Sequence, residues 1–183
     1  MNLPNYITLL RIFLVPFFFS FLIYYNPSHP SFRHWALLLF LVAIVTDALD
    51  GSIARGFGKQ TELGTFLDPF ADKLLLLSGF FGMTLSSALS LKPPLWVIVV
   101  IVFRELLIIG GLVIIFLTTS QIRIQPNLIG KLTTLFQMLT IFFVLAEWKH
   151  SQILWLVAVV FTVLSVLSYL VRGIRLLNHR APS

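Results

Sequence analysis

Cysteine is absent from this 183-residue chain, and acidic residues are few, because Asp and Glu together number only seven. Without cysteine there is no disulfide framework, no thiolate metal site and no cysteine nucleophile. Charged residues of both signs make up 11% of the chain, whereas hydrophobic residues make up 58%. Because a soluble domain is typically about 25% charged, this composition excludes an ordinary soluble protein.

Long apolar runs recur along nearly the whole chain, and the mean hydropathy is +0.96. They predict an all-α integral membrane protein with one domain over residues 1–183. The N-terminus lacks the basic start and small-residue cleavage site of a signal peptide, so the first apolar segment is expected to be retained. We expect a short interfacial segment at residues 2–6, followed by six transmembrane helices. The predicted spans are Ile7–Tyr25, Trp35–Asp50, Phe66–Leu89, Leu95–Leu117, Leu132–Ala146 and Ile153–Val171.

The net charge of +6 favours anchoring in a membrane over nucleic-acid binding, because no basic cluster stands apart from the apolar segments. The Lys and Arg residues between and after the spans divide unequally between the two sides. On one side lie Arg55, Lys59, Arg123, Lys131, Arg172, Arg175 and Arg180, and on the other lie Arg33, Lys92 and Lys149. This bias predicts a multi-pass protein of the cell membrane with both termini on the cytoplasmic side.

All four aspartates of the chain fall in one stretch, Asp47–Asp72, as the pairs Asp47/Asp50 and Asp68/Asp72. Carboxylates at membrane depth are costly and need a reason. Residues three and four apart share a helix face. Each pair therefore lines one stripe, at the end of the second span and at the start of the third. If the two stripes face each other, four like charges converge and require compensation.

Protonation is one form of compensation, and a hard divalent cation is the better one, because oxygen ligands suit Mg²⁺, Mn²⁺ or Ca²⁺. Gly51 and Gly64 leave room for a ligand to approach the backbone. Arg55 offers a planar fork suited to phosphate oxygens. Together these features predict a metal-assisted phosphate site. The alternative is a set of helix-end carboxylates that pair with Arg55, Lys59 and Lys73.

The same stretch resembles the signature of the CDP-alcohol phosphotransferases (CDP-alcohol phosphatidyltransferases). It reads Asp47-x-x-Asp50-Gly51-x-x-Ala54-Arg55, eight residues, Gly64-x-x-x-Asp68-x-x-x-Asp72, with every fixed position filled. The resemblance implies a membrane homodimer whose polar cavity opens to the cytoplasm. It also implies that a CDP-linked lipid binds there with Mg²⁺ or Mn²⁺. A hydroxyl of the acceptor then attacks the lipid phosphate, and CMP leaves.

Residue roles follow from the resemblance, position by position. Asp47, Asp50 and Asp68 match the metal-binding carboxylates. Asp72 lies at the edge of the metal site and matches the general base for the acceptor hydroxyl. The positions that match nucleotide and diphosphate contacts are Asp47, Gly51, Ala54, Arg55 and Gly64.

The motif does not identify the acceptor alcohol. The opening NLPNYITLLRIFLVP and the run LGTFLDPFADKLLL resemble phosphatidylglycerophosphate synthases, which implies CDP-diacylglycerol as donor and glycerol 3-phosphate as acceptor. Arg104, Arg123 and Lys131 are the candidate contacts for the acceptor phosphate. Arg104 with Glu105 is alternatively an intramembrane ion pair, and Arg123 and Lys131 are alternatively positive-inside anchors.

Two further alternatives stay open. The apolar run LLIIGGLVIIFL after Glu105, followed by Pro126 and a Gly-Lys-x-x-Thr sequence, also resembles CMP-forming cardiolipin synthases, whose acceptor is phosphatidylglycerol. From another class, an ion-coupled transporter also places carboxylates in a membrane, but the chain lacks the two-half symmetry of such proteins. Arg11 and Thr8 either line the cavity from the first span, or Arg11 snorkels to the interface.

Overall fold

The structure of the protein, a computed structural model, describes residues 3–57, 62–119 and 128–178, with side chains for residues 8–47, 70–111, 113 and 128–169. Within these ranges the chain is helical apart from its turns and an isolated bridge between Asn26 and His29. The helices are α1 (Leu3–Tyr24), α2 (Ser31–Phe57), α3 (Glu62–Leu85), α4 (Leu95–Thr119), α5 (Leu128–Leu145) and α6 (Ser151–Asn178).

Membrane character is visible in the composition of the helices. In the part of the chain that the structure describes, Leu128–Leu145 and Ser151–Tyr169 are long and apolar enough to cross a membrane, and Thr8–Tyr24 is a shorter apolar helix. The predicted all-α class is confirmed, and the helices agree with a membrane protein. The count of six spans stays a prediction.

The helices around the acidic stretch are longer than expected. α2 continues past Asp50 and Gly56 and ends at Phe57, just before Gly58 in the sequence, while α3 already begins at Glu62. Both halves of the acidic stretch therefore have helical backbone, as the argument from shared faces requires.

The expected interfacial segment at residues 2–6 does not form a separate element over its described part, because α1 begins at Leu3. Pro4 lies in the first turn of α1, where its missing N–H has no intrahelical partner to lose.

The bundle is closely packed where glycines on α3 meet other helices. A Cβ atom added at Gly82 would lie 2.6 Å from Leu22 Cδ1 of α1, and one added at Gly79 would lie 2.7 Å from Ile141 Cδ1 of α5. These glycines let α1 and α5 approach α3 more closely than any side chain would permit. Around them, large buried side chains such as Phe18, Phe40 and Phe80 fill the core.

Several of the main helix contacts join helices that are not consecutive in the chain. α1 packs mainly against α2 and α3, α5 packs mainly against α6, and α4 lies between α3 and α6. Arg11 and Leu22 of α1 contact Asp72 and Gly82 of α3 respectively, so α1 and α3 run in the same direction. The ends of α2 and the starts of α1 and α3 therefore lie at one end of the bundle.

A separate ion pair fastens the opposite end of the bundle. Arg33, in the first turn of α2, pairs with Glu147 in the turn after α5, and its guanidinium carbon lies 6.0 Å from the centre of the Tyr25 ring. Tyr25 also donates a hydrogen bond of 3.4 Å to Glu147. Glu147 has a positive φ of 56°, which places it at the left-handed position that closes α5.

Candidate active site at the α1–α2–α3 end

Arg11 joins the two helices that carry the acidic stretch. Its Nη1 atom lies 3.0 Å from Asp47 Oδ1 on α2 and 2.8 Å from Asp72 Oδ1 on α3. The Arg11 side chain is 1% exposed, whereas Asp47 and Asp72 are 39% and 27% exposed. Arg11 therefore faces the interior and does not snorkel. The two carboxylates face each other across one guanidinium and remain accessible from one side.

The position of Arg11 follows from the buried stripe of α1. Thr8, Arg11, Phe18 and Leu22 are all essentially inaccessible, and they are spaced three, seven and four residues apart along the helix. This spacing places them on one face. The polar half of the stripe lies toward the acidic end of the bundle, and the apolar half packs into the core. Arg11 is thus a site residue that the sequence alone left undecided.

A second ionic cluster begins at the residue next to Asp72. Lys73 Nζ lies 2.5 Å from Glu105 Oε2 on α4, and Arg104 Nη1 lies 2.5 Å from Glu105 Oε1. Arg104 Nη2 also donates a 3.2 Å hydrogen bond to Ser165 Oγ on α6. Glu105 is fully buried, and Arg104 is 2% exposed. This cluster, which we call the Glu105 cluster, ties α3, α4 and α6 together in the bundle interior.

Arg104 therefore has partners within the protein, and its predicted contact with the acceptor phosphate stays a prediction. The sequence predicts Lys73 only as a possible partner of helix-end carboxylates, and Glu105 only as a possible partner of Arg104. The available signal was the arrangement of charges, because two cations and one carboxylate in apolar surroundings must find one another. Lys131, in the first turn of α5, is exposed and open to solvent or headgroups.

The side chains of the remaining predicted site residues lie outside the described set. Arg123 lies outside the described residues. α2 and α3 include further predicted residues whose side chains also lie outside the described set: Asp50, Gly51, Ala54, Arg55, Gly64 and Asp68. The convergence of all four aspartates thus stays a prediction, of which the structure shows the pair Asp47 and Asp72.

Two of the four predicted metal ligands, Asp47 and Asp72, have described side chains. No group of three or more His, Cys, Asp or Glu side chains that could hold a metal occurs among the described residues. Asp47 and Asp72 nevertheless converge, and their carboxylate oxygens are the donors that Mg²⁺ and Mn²⁺ prefer. Both side chains are partly exposed, so a ligand can reach them. These two residues therefore fit part of a metal site.

Comparison with known proteins gives one consistent result. Residues 1–164 match the sequence model of a family described as CDP-alcohol phosphatidyltransferase. The chain is 36% identical over 180 residues to a "Probable phosphatidylglycerophosphate synthase" of Mycobacterium tuberculosis, covering 95% of this chain and 82% of that protein. It is 31% identical over 185 residues to a "CDP-diacylglycerol--glycerol-3-phosphate 3-phosphatidyltransferase" of Bacillus subtilis, covering 92% and 93%. It is also 34% identical over 136 residues to a "Cardiolipin synthase (CMP-forming)" of Streptomyces coelicolor, covering 73% and 60%.

Proposed function

The chain belongs to the CDP-alcohol phosphatidyltransferase family, and on that premise we propose that it synthesises phosphatidylglycerophosphate. It transfers the phosphatidyl group of CDP-diacylglycerol to a hydroxyl of glycerol 3-phosphate and releases CMP. It is a transferase of phospholipid biosynthesis and works in a membrane.

The observation that carries this proposal is the extent of the likeness to relatives named for this reaction. The M. tuberculosis and B. subtilis proteins cover 95% and 92% of this chain and most of their own lengths. The likeness therefore includes the helices that carry Arg11, the Glu105 cluster and Lys131, as well as the acidic stretch. All fixed positions of the family signature are present in that stretch.

The roles of the acidic residues rest on the signature together with the geometry around Arg11. Asp47, Asp50, Asp68 and Asp72 hold Mg²⁺ or Mn²⁺, and Asp72 also acts as general base. Contact between Arg11 and both Asp47 and Asp72 supports a shared site at the ends of α2 and α3. Asp47 also belongs to the nucleotide and diphosphate contacts. The other members of that set are Gly51, Ala54, Arg55 and Gly64.

In the reaction, the hydroxyl oxygen of the acceptor forms a bond to the phosphorus that carries the diacylglycerol. The bond from that phosphorus to the bridging oxygen of the diphosphate breaks, and CMP leaves with its electron pair. The Asp72 carboxylate takes the hydroxyl proton. A divalent metal held by the four aspartates would supply positive charge to the diphosphate and to the leaving CMP. Arg11 keeps the carboxylates of Asp47 and Asp72 at a fixed separation while substrates exchange.

Glycerol 3-phosphate carries its own negative charge, so its site requires cations beside the carboxylates. Arg104, Arg123 and Lys131 are the proposed acceptor contacts. Exposure of Lys131 at the start of α5 supports access of a soluble acceptor to this residue. Arg104 is engaged with Glu105 and Ser165, so it would contact the acceptor only by sharing its guanidinium.

The finer topology belongs to the same proposal. We propose six membrane spans, with both termini and a polar cavity at the cytoplasmic face of the cell membrane. The excess of Lys and Arg on one side supports this orientation. The family resemblance supports a homodimer.

A second acceptor has specific support. The S. coelicolor relative is named a CMP-forming cardiolipin synthase, and phosphatidylglycerol would be the acceptor in that reaction. The glycerol 3-phosphate reaction is favoured because the relatives named for it match a larger share of both chains.

The proposal is tested with purified protein in detergent or vesicles. CMP release from CDP-diacylglycerol is measured with Mg²⁺ or Mn²⁺ and with glycerol 3-phosphate, phosphatidylglycerol, inositol phosphate or serine as acceptor. We expect release with glycerol 3-phosphate and a loss of at least about 100-fold in Asp72→Asn, because general-base catalysis contributes roughly 10²–10⁴-fold. Release with phosphatidylglycerol alone would move the assignment to cardiolipin synthesis. Unchanged release in Asp72→Asn would contradict the role of Asp72.

A further inference from the structure

Asp72 and Lys73 are consecutive on α3, yet each contacts a different helix. Asp72 contacts Arg11 on α1 at 2.8 Å, and Lys73 contacts Glu105 on α4 at 2.5 Å. Consecutive residues of an α-helix point in directions about 100° apart. One contact is directed toward α1 and the other toward α4, at the same turn of α3. Together they fix the rotation of α3 about its axis and its position between α1 and α4.

Resting on the proposed function, we propose that Lys73 and Glu105 are positioning residues for the reaction. They hold the turn of α3 that carries Asp72 in the rotation that aims its carboxylate at Arg11 and Asp47. Neither residue contacts the reacting atoms in this proposal. They act through the backbone of α3.

The far side of the Glu105 cluster is itself held firmly. Glu105 is fully buried and accepts two cations, one through each carboxylate oxygen. Arg104 passes the constraint to α6 by its hydrogen bond to Ser165. Lys73 therefore contacts a carboxylate, Glu105, whose position is fixed by α4 and α6. A surface ion pair on flexible side chains would not constrain α3 in this way.

Energetics favour a positioning role over a purely stabilising one. Removing charges from water is expensive, and a buried ion pair or triad can often be replaced by apolar residues with no loss of stability. A charged side chain within a membrane protein is similarly costly. The cluster is thus weak evidence for stability. The cluster instead sets the orientation of α3, because Lys73 reaches Glu105 only when this face of α3 is turned toward α4.

Position along α3 also matters. Farther along the helix, Gly79 and Gly82 fix α3 against α5 and α1 by close contact. The Asp72 end has no comparable glycine contact among the described residues, and α3 begins only ten residues before Asp72 in sequence number. Ala71, Leu75 and Leu76 are buried at this level and keep the helix packed, while the described ionic contacts orient Asp72 and Lys73 themselves. Loss of Lys73 or Glu105 leaves the helix packed but lets its first turns rotate.

The test compares kinetic constants of Lys73→Met, Glu105→Gln and the charge-balanced double variant Lys73→Met/Glu105→Gln. We expect kcat for CMP release to fall by about 100-fold, because a displacement near 1 Å can cost that much. KM for CDP-diacylglycerol should change by less than about threefold in each variant, since its contacts are retained. KM for the acceptor should change as little in Lys73→Met, which leaves the contact between Arg104 and Glu105 in place. Lys73→Arg keeps the cation and should recover most of kcat.

Two controls separate positioning from stability. Glu147→Gln neutralises a carboxylate in the ion pair at the other end of the bundle and should leave kcat unchanged. Gly82→Val destabilises the packing of α3 without touching the cluster, and its activity should follow its folded fraction. The thermal unfolding midpoint of each variant is measured in the same detergent, and activity is assayed well below it.

Three results would overturn the proposal. One is a Glu105→Gln enzyme with wild-type kcat. Another is a loss that disappears once activity is divided by folded fraction, as for Gly82→Val. The third is a rise in acceptor KM with unchanged kcat in Lys73→Met, which would place Lys73 in the acceptor site. The same assay includes phosphatidylglycerol as acceptor, and absence of CMP release by the wild type with every acceptor would refute the proposed function itself.

Discussion

Replacing Arg11 with Met tests whether this residue neutralises the acidic end of the bundle. The substitution keeps an unbranched apolar stem but removes the cation that contacts Asp47 and Asp72 at 3.0 and 2.8 Å. Removing one partner of a fully buried pair costs about 3–5 kcal/mol. The two carboxylates are 39% and 27% exposed, so water screens part of their repulsion. We therefore expect a loss of about 2 kcal/mol.

For a chain of this length, a loss of that size lowers the midpoint of thermal unfolding by about 4–8 °C. The measurement follows intrinsic fluorescence, which the four tryptophans of the chain supply. It is made in metal-free detergent solution and again with Mg²⁺ or Mn²⁺. If Asp47 and Asp72 bind a cation, added metal should raise the midpoint of Arg11→Met more than that of the wild type, because it compensates the same charges.

Arg33→Met is the matched control for Arg11→Met. It removes an arginine from the ion pair with Glu147, whose side chain is 47% exposed, at the opposite end of α2. Its midpoint should fall less and should not respond specially to metal. If Arg11→Met unfolds at the wild-type midpoint, or if both variants respond alike to metal, Arg11 does not neutralise the acidic pair and the reasoning is refuted.

Two further predictions concern the packing and the opposite end of the bundle. Gly82→Val should destabilise the protein by about 1–3 kcal/mol, as overpacking does, because its Cβ would lie 2.6 Å from Leu22 Cδ1. Adding Leu22→Ala to the same chain should recover part of the loss in unfolding midpoint. A wild-type midpoint in Gly82→Val alone would contradict the close contact. Glu147→Gln should cost no more than about 1 kcal/mol, because the exposed carboxylate pairs with Arg33 in partial contact with water. CMP release by that variant should equal that of the wild type, and a large kinetic loss would show that the two ends of the bundle are coupled.

The sequence was sufficient to predict an all-α protein and two aspartate stripes on facing helices, of which the structure shows Asp47 and Asp72 in contact with the same arginine. Apolar runs define where helices form, and i, i+3 and i, i+4 spacing defines which carboxylates share a face. The helix ends were less predictable. α2 passes through Gly51 and Gly56 before it ends at Phe57, although glycine lowers helix propensity.

The orientation of Arg11 was open in the sequence because a single arginine near a helix end can either snorkel or face inward. Its partners are 36 and 61 residues away, so no local pattern names them. A signal did exist on α1 itself. Arg11 shares a helix face with Thr8, Phe18 and Leu22, and the apolar members of that face are the ones that pack into the core.

Arg104 and Glu105 are adjacent on α4, so their side chains leave the helix about 100° apart. Each residue does have its own partner on another helix, Ser165 for Arg104 and Lys73 for Glu105. The two also contact each other directly at 2.5 Å. Both side chains are long enough to bend back across the 100° that separates their positions on the helix, and burial of both charges favours that contact.

Charge accounting connects the Glu105 cluster with the acidic stretch. The described contacts join three cations to three carboxylates through consecutive positions on α3: Arg11, Lys73 and Arg104 with Asp47, Asp72 and Glu105. This set is neutral. Asp50, Glu62 and Asp68 belong to the same stretch and add three negative charges, of which Arg55 and Lys59 offset two. A diphosphate substrate adds further negative charge, and uncompensated charge within a membrane is expensive. A divalent cation supplies the missing positive charge, which is the electrostatic reason to expect metal dependence from this chain.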